Sequence, residues 1–385
     1  MKPRRISKAI QVGDVTVGGN APITVQSMTK TDTRNVEATV RQIKELEDVG
    51  CDIIRSAVPD MEAAKALREI KRQVKIPVIA DIHFHYRLAL ESIAAGVDGL
   101  RLNPGNIRDS EKVAMVVRAA KERQIPIRIG VNFGSLPPVG QIGKFGGLHR
   151  HTDGVNELAK VGEASEGQFS VVDHMVATAL WEISVLEDLD FDRIKISLKA
   201  FDVPTTVEAY RRLAYMVPYP LHLGITEAGT TKAGSIRSAV GLGYLLYEGI
   251  GDTIRVSLSA DSREEVQAGY EILKSLNMRE KGTTLVACPS CGRADVDVIK
   301  LANMVDALLQ ERSYNVKVAV MGCEVNGPGE AKDADVGIAA GVGRAVIFRK
   351  GQKVRVVEES EMLSALMEEV EMVVAKQSGL ALQQS

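Results

Sequence analysis

Four cysteines in 385 residues, at positions 51, 288, 291 and 323, are too few and too unevenly placed for a disulfide framework. The close pair, Cys288 and Cys291, therefore reads as metal or redox chemistry. Charge of one sign is also missing, since 48 Lys and Arg stand against 50 Asp and Glu for a net charge of −2. No global basic field exists to attract nucleic acid or an anionic membrane, so any anion site must be local. Long apolar runs are absent: the most apolar windows, such as residues 239–246, fall well short of the roughly 20 residues that span a bilayer. The opening MKPRRISKAIQVGDV has basic residues with no apolar stretch behind them, so no signal peptide and a cytoplasmic location are expected. What is present is globular. Hydrophobic residues make up 45% and charged residues 25%, which excludes disorder and fibrous repeats and leaves length for two or three domains.

Short β-branched runs alternate with amphipathic helical stretches, the pattern of a parallel sheet covered by helices. Eight such runs occur, at 23–28, 53–58, 77–82, 99–103, 127–132, 194–199, 221–226 and 253–258. In the first helix Val36, Val40, Ile43 and Leu46 repeat at helical spacing, with Asp32 or Thr33 placed to cap it and Gly50 to stop it. Asp60 precedes an Ala-rich helix, Gly96 follows another, and Ser262 with Glu265 forms a capping-box pattern after the eighth run. Eight βα units predict an α/β chain whose N-terminal domain is a TIM-type (β/α)8 barrel. The rival, a doubly wound open sheet, has fewer strands and a glycine-rich first turn, and no G-x-G-x-x-G follows the first run. The interval 133–193 carries GQIGKFGGLHRHTDG ahead of a helix, a length that suits a lid or binding loop as well as a merely decorative insertion.

In a barrel of this kind the reactive groups project from the C-terminal strand ends. Here those ends carry Arg55, Asp81 with His83, Arg101 with Asn103, Arg128 with Asn132, Lys199, Thr226 with Glu227, and Arg255 with Ser257. Any single Arg reads as a surface ion pair, but recurrence over successive strands gathers repelling cations at one mouth. An anion must neutralise them, and guanidinium forks suit phosphate oxygens, so a phosphorylated small substrate is expected. The loop EAGTTKAGSIRS adds Gly229, Thr230, Thr231, Gly234 and Ser235 as a second phosphate cradle. It is not a Walker loop, because Lys232 precedes the second glycine. Glu227 is the acidic exception, open between salt-bridge partner and proton donor. His83 and His85 alternate as on a strand, and a hydrogen-bonding His83 near the substrate accounts for them without a shared metal.

Past a basic, polar joint at 278–283 the chain changes style, which divides it into domains 1–280 and 281–385. TLVACPSCGRADVDVIK and VKVAVMGCEVNGPGE each place cysteine in a tight turn just after a hydrophobic run. C-P-S-C supplies two thiolates and Cys323 a third, a common way to hold an iron-sulfur cluster. Cys51 starts the second run, away from the barrel mouth, and reads as a buried structural cysteine. The fourth ligand is then oxygen, nitrogen or substrate, with the carboxylates of Glu324 and Glu330 both near Cys323 in sequence. Spacing alone also permits zinc on three cysteines, or a thiol redox pair.

Taken together, CPSCGR, MGCEVNGPGE, SMTKTDT, GLRLNPGN, IPIRIGVN and HLGITEAG resemble the 4-hydroxy-3-methylbut-2-enyl diphosphate synthase family of the non-mevalonate isoprenoid pathway. The resemblance implies a 4Fe-4S cluster on Cys288, Cys291, Cys323 and Glu330. It implies reductive dehydration and ring opening of 2-C-methyl-D-erythritol 2,4-cyclodiphosphate, with two electrons from reduced ferredoxin or flavodoxin. It implies that Arg55, Arg101, Asn103, Arg128, Asn132, Lys199, Thr226 and Ser257 bind substrate, a set that His83 joins on the residue reading above, and that Glu227 is the catalytic acid or base. A C-terminal α+β ferredoxin-like domain resembling part of sulfite reductase follows from it, as does a homodimer in which one subunit's cluster domain closes the other's barrel mouth. The alternative of a different class is a non-catalytic phosphate-binding barrel stapled by structural zinc; a hydrolase or lyase without redox chemistry is a third.

Overall fold

The structure, a computed structural model, describes residues 1–107, 109–142, 170–279, 282–292, 294, 296–312, 314–323, 329 and 331–381. It divides into two units, Met1–Arg279 and Glu280–Ser385.

The first unit opens with a hairpin in which β1 (Ile10–Val12) pairs antiparallel with β2 (Val15–Val17) across Gly13, whose φ of +60° suits a tight two-residue turn. Sequence reading missed it, because two three-residue runs carry almost no periodic signal. Ile10, Val12 and Val17 pack on Ile53 and Ile79 and plug the barrel at the N-terminal ends of its strands.

The barrel strands are β3 (Thr24–Met28), β4 (Ile53–Ala57), β5 (Val78–Asp81), β6 (Gly99–Arg101), β7 (Ile127–Asn132), β8 (Ile194–Lys199), β9 (His222–Leu223) and β10 (Thr253–Ile254). They pair in parallel in the order β8-β7-β6-β5-β4-β3-β10-β9, and a bridge from Ile196 to Leu221 joins the two ends. This is the expected (β/α)8 barrel, and the open sheet is excluded. β9 and β10 are shorter than the expected runs, and Gly224, just past β9, leaves room for the Lys199 side chain, which a Cβ there would strike.

Helices α1 (Val36–Asp48), α2 (Met61–Gln73), α3 (Tyr86–Ala95), α4 (Pro104–Ile107), α5 (Ser110–Arg123), α6 (Val171–Glu187), α7 (Val203–Met216), α8 (Thr231–Tyr247) and α9 (Ser262–Ser275) wrap it. Their apolar faces meet the outward residues of the strands, such as Val25, Ile54, Ile129 and Ile196, in one core. Asp60 caps α2, and Gly96, at φ +94°, ends α3, both as expected. Two other caps differ. Asn35, not Asp32 or Thr33, caps α1, because Asp32 is held by Arg34 and the Thr33 hydroxyl donates to the Ala57 carbonyl. Asp261, not Ser262, caps α9, and Glu265 turns inward instead of closing a capping box.

The bottom of the barrel is tied by Asp252, 1% exposed, whose carboxylate takes Arg4 at 3.0 Å, the Ser7 hydroxyl at 2.7 Å and the Leu221 N–H at 2.8 Å. Asp252→Ala would remove the carboxylate facing Arg4 and Arg5 and leave the buried Leu221 N–H without its acceptor. We expect a loss of about 3–5 kcal/mol in denaturant-unfolding stability, and an effect under 1 kcal/mol would show that the strap carries no load.

In the second unit, β11 (Thr284–Ala287), β12 (Lys317–Met321), β13 (Val336–Gly341), β14 (Arg344–Arg349) and β15 (Gln352–Glu358) form one sheet in that order. The first three are parallel and the last two antiparallel additions. Helices α10 (Val298–Arg312) and α11 (Met362–Ala381) cover one face through Val305, Leu309, Leu366 and Val370. On the other face Met321 and Phe348 pack with Ala319, Ala331, Ala334 and Ala339. This is an α+β domain. Among the described residues, no helix is long and apolar enough to cross a membrane.

Candidate active site

Alternate residues of a strand share a face. In β8, Ile194, Ile196 and Leu198 join the outer core, which leaves Lys195, Ser197 and Lys199 facing inward. The same alternation brings Arg55, Arg101, Arg128, Asn132, Lys199, Thr226 and Ser257 together around one cavity of about 60 Å³ at the C-terminal strand ends. Arg255 lines it too, with Ser197 and Gly130, which sequence reading did not single out. Gly130 has a steric reason: a Cβ there would lie 2.7 Å from Arg101 Nε.

Four residues named from sequence, Asp81, His83, Asn103 and Glu227, do not line this cavity. His83 is exposed, with Nδ1 3.9 Å from Asp81. Asn103 is engaged at both ends by the Gly130 peptide, donating from Nδ2 to its carbonyl at 2.9 Å and accepting its N–H at 2.8 Å. The second cradle does not materialise as expected either, since no residue of its loop lines the cavity. Thr231 donates to Glu264, and Gly234 packs where a Cβ would strike Leu258. No three His, Cys, Asp or Glu among the described residues, Cys288, Cys291 and Cys323 included, gather around a single metal ion.

The charge is lopsided. Arg55, Arg101, Arg128, Lys199 and Arg255 surround the cavity, and two buried carboxylates answer them. Asp81 lies 3.4 Å from Arg55 and 3.6 Å from Arg101. Glu265 lies 3.7 Å from Arg255 and 3.3 Å from Lys30, and also accepts from the Ser27 hydroxyl and the Leu258 N–H. The cue to Glu265 lay in its place on the buried stripe of α9, alongside Val266 and Gly269. Arg128 and Lys199 have no carboxylate within ion-pair distance among the described residues, and Arg128 Nε and Nη1 are buried without a hydrogen-bond partner there. Burial, then Arg55 and Arg101, pull Arg128 well below the usual guanidinium range. Burial pushes Asp81 up, but Arg55, Arg101 and Arg128 outweigh it and hold the carboxyl below its ordinary value. An arrangement of this kind is built to receive a multiply charged anion.

Glu227 stands exposed beside Thr226 with φ +52°, a left-handed conformation unusual for a side-chain-bearing residue. Its turn is pinned from both sides, as Arg237 donates to the Ala228 carbonyl at 2.6 Å and the Ser259 N–H to that of Gly229 at 2.9 Å.

A larger cavity, about 430 Å³, lies against α4 and α6 and is lined by Val131, Leu136, Trp181 and Glu182 among others. Among the described residues its lining offers no cation for phosphate. Glu182 is 2% exposed and accepts the Gly105 N–H at 2.8 Å. Burial pushes its carboxyl up to about 7, against that hydrogen bond and Arg101. A carboxyl raised on folding binds its proton in the native state while the unfolded chain has lost it, so stability falls from about pH 4.5 to 7 and then levels. Glu182→Gln keeps an acceptor for Gly105. It should leave stability unchanged at pH 5 and raise it by about 3 kcal/mol at pH 8, with a pH-independent effect in thermal melts as the contrary result. The stretch GQIGKFGGLHRHTDG falls almost wholly on 143–169, outside the described residues.

In the second unit the two cysteine turns follow neighbouring parallel strands: Cys288 leaves β11, its N–H donating to Val320 in β12, and Cys323 comes two residues after β12 ends. The Gly322 N–H points at Cys288 Sγ at 3.2 Å, and a Cβ on Gly322 would collide with Val298 and reach that sulfur at 3.3 Å. Ser290, at φ +59°, folds the C-P-S-C turn back so that Cys291 is exposed. Thiolates from two adjoining turns, one met by a backbone N–H, fit the donor set of an iron-sulfur cluster. Cys51 is elsewhere, 3% exposed in the barrel core. Glu324 and Glu330 lie outside the described residues.

The chain matches the GcpE TIM-barrel domain over residues 7–270 and the GcpE protein C-terminal domain over residues 284–372. Its relatives include the 4-hydroxy-3-methylbut-2-en-1-yl diphosphate synthase (flavodoxin) of Dehalococcoides mccartyi, 57% identical over 96% of this chain and 99% of that protein. The protein of the same name from Geobacter sulfurreducens is 54% identical over 96% of this chain and 98% of its own. Among solved structures, the dihydropteroate synthase of Yersinia pestis covers 70% of this chain and 98% of its own at 11% identity and a TM-score of 0.42, too slight a likeness to argue from. Relatives this similar over nearly the whole length leave the non-catalytic, zinc-stapled reading without support. The chain belongs to the GcpE family.

Proposed function

We propose that this chain catalyses the reductive ring opening of 2-C-methyl-D-erythritol 2,4-cyclodiphosphate to 4-hydroxy-3-methylbut-2-enyl diphosphate in the cytoplasm. The cyclic dianion takes two electrons and one proton and leaves as the open diphosphate trianion and water. The observation that carries this reading, in a chain of this family, is the surplus of buried cations over carboxylates around the cavity at the barrel mouth.

Cys288, Cys291, Cys323 and Glu330 would hold a 4Fe-4S cluster, which would supply single electrons originating from a flavodoxin of the kind the relatives' names carry. The rest of the work falls to the barrel. Arg55, Arg101, Arg128, Lys199 and Arg255 hold the diphosphate, whose negative charge grows as the ring C–O bond breaks. The four guanidiniums, charged before the ligand arrives, stabilise that growing charge more than the ground state, which is catalysis rather than mere binding. Asn132, Thr226 and Ser257 donate hydrogen bonds that orient the ring, and His83 stands at the rim. Glu227 offers its carboxyl to the departing hydroxyl as proton donor. The working unit is a homodimer in which the C-terminal domain of a second copy covers the barrel mouth.

Anaerobic incubation with the cyclic diphosphate and reduced flavodoxin should yield the open diphosphate. Its absence under conditions where a known synthase turns over would reject the reading.

A further inference from the structure

Five cations crowd one cavity and only two carboxylates answer them, so the question is how the seat holds its charge before a ligand arrives. Asp81 is claimed by Arg55 and Arg101, and Glu265 by Arg255 and Lys30. Lys199 is 6% exposed, lies beside Gly224 where even a Cβ would strike its Nζ, and faces Arg128 and Arg255 across the cavity. We propose that Lys199 stands in the ligand-free cavity as a neutral amine and takes up a proton from solvent when a diphosphate-class anion binds, so that the seat gains its last positive charge together with its ligand. The inference rests on the reading that this cavity seats the diphosphate.

The step is a simple protonation: the Nζ lone pair accepts H⁺ from water or buffer, and no other bond changes. Arginine cannot relieve the crowding, because a guanidinium keeps its proton in proteins, so relief falls to lysine. Burial, then Arg128, Arg255 and Arg55, draw the Lys199 amine well below the ordinary lysine range, against Glu265. Two other titratable groups face the interior nearby. Lys195, two pleat repeats below on the same face, is drawn to about 7 by burial, then Arg128 and Arg55. His222 on β9 is driven well below its usual range by burial, then by Lys199, Arg128, Lys195 and Arg55. Neither lines the cavity, so neither meets the ligand.

A cyclic diphosphate carries one ionised oxygen per phosphorus and does not titrate near neutrality, so any proton taken up on binding belongs to the protein. Calorimetric titration of the full-length, oxidised protein at pH 7.5, in buffers of contrasting ionisation enthalpy, reads that proton directly. The wild type should take up about one proton per bound ligand, with affinity falling by up to roughly tenfold per pH unit as pH rises. Lys199→Arg, whose charge is permanent, should bind without uptake and lose the pH dependence, and Lys199→Met should bind more weakly, also without uptake. Lys195→Met should take up the proton as wild type does. Binding with no uptake by the wild type, or uptake that survives in both Lys199 variants, overturns the proposal. Sulfate, which also does not titrate, serves as a second probe. Uptake with sulfate but no binding of the cyclic diphosphate would sink the substrate reading and leave this one standing, whereas binding of the cyclic diphosphate without uptake does the reverse.

Discussion

Cys323→Ser is expected to abolish turnover and to lower the iron content of anaerobically purified protein, with loss of its visible charge-transfer absorption. The reasoning is local. Cys288 and Cys323 leave adjacent parallel strands, the Gly322 N–H meets the Cys288 sulfur, and a serine oxygen is a harder, poorer iron ligand than thiolate. The matched control is Cys51→Ser. Cys51 is buried in the barrel core with its sulfur 3.2 Å from the Ile53 carbonyl, so this change should leave iron per chain and visible spectrum as they were. Iron retained with full turnover in the Cys323 variant would remove that cysteine from the cofactor site.

The second large effect is a split between activity and stability at Arg128. Its guanidinium is 3% exposed, two of its nitrogens lack partners among the described residues, and no carboxylate there pairs with it. Arg128→Met removes a charge that the diphosphate needs, at a cost of about 2–5 kcal/mol in transition-state binding, or roughly 30-fold to several thousandfold in kcat/KM. The same change relieves an uncompensated buried cation in the empty barrel. Thermal stability without ligand should therefore rise, by about 1–4 kcal/mol if the methionine packs well. Steady-state kinetics and melting of one preparation give both readings. A variant that loses activity and stability together would mean that Arg128 is a structural residue.

How much of this was legible in the sequence depends on which physical signal each feature leaves. β7 and β8 run over 127–132 and 194–199 as expected, because their outward residues are β-branched or Leu while the inward ones are polar, a strict alternation. The cation ring followed from that alternation plus the rule that chemistry sits at strand ends. Asn103 did not follow: its spacing is that of a cavity residue, and only coordinates reveal that the Gly130 peptide engages both ends of its amide. Glu265 was misread for a related reason. A carboxylate three residues after a serine at a helix start has the same spelling whether it caps the helix or dives beneath it to hold Arg255, and burial decides between them. Asn35 displaced Asp32 as a cap because Arg34, next but one, holds the aspartate in an ion pair that one-dimensional pattern reading ignores. The loop 227–238 looked like a phosphate cradle from its glycines and hydroxyls, yet Gly234 is there to admit Leu258.

The central claim, that a buried cation seat serves a reductive ring opening fed by a cluster in the second domain, meets its most direct test in counting electrons. Reductive titration of the protein with the cyclic diphosphate under anaerobic conditions should consume two electrons for every open diphosphate formed, and iron-stripped protein should form none. Open diphosphate appearing without reductant, or at full rate after the iron is gone, would contradict the account.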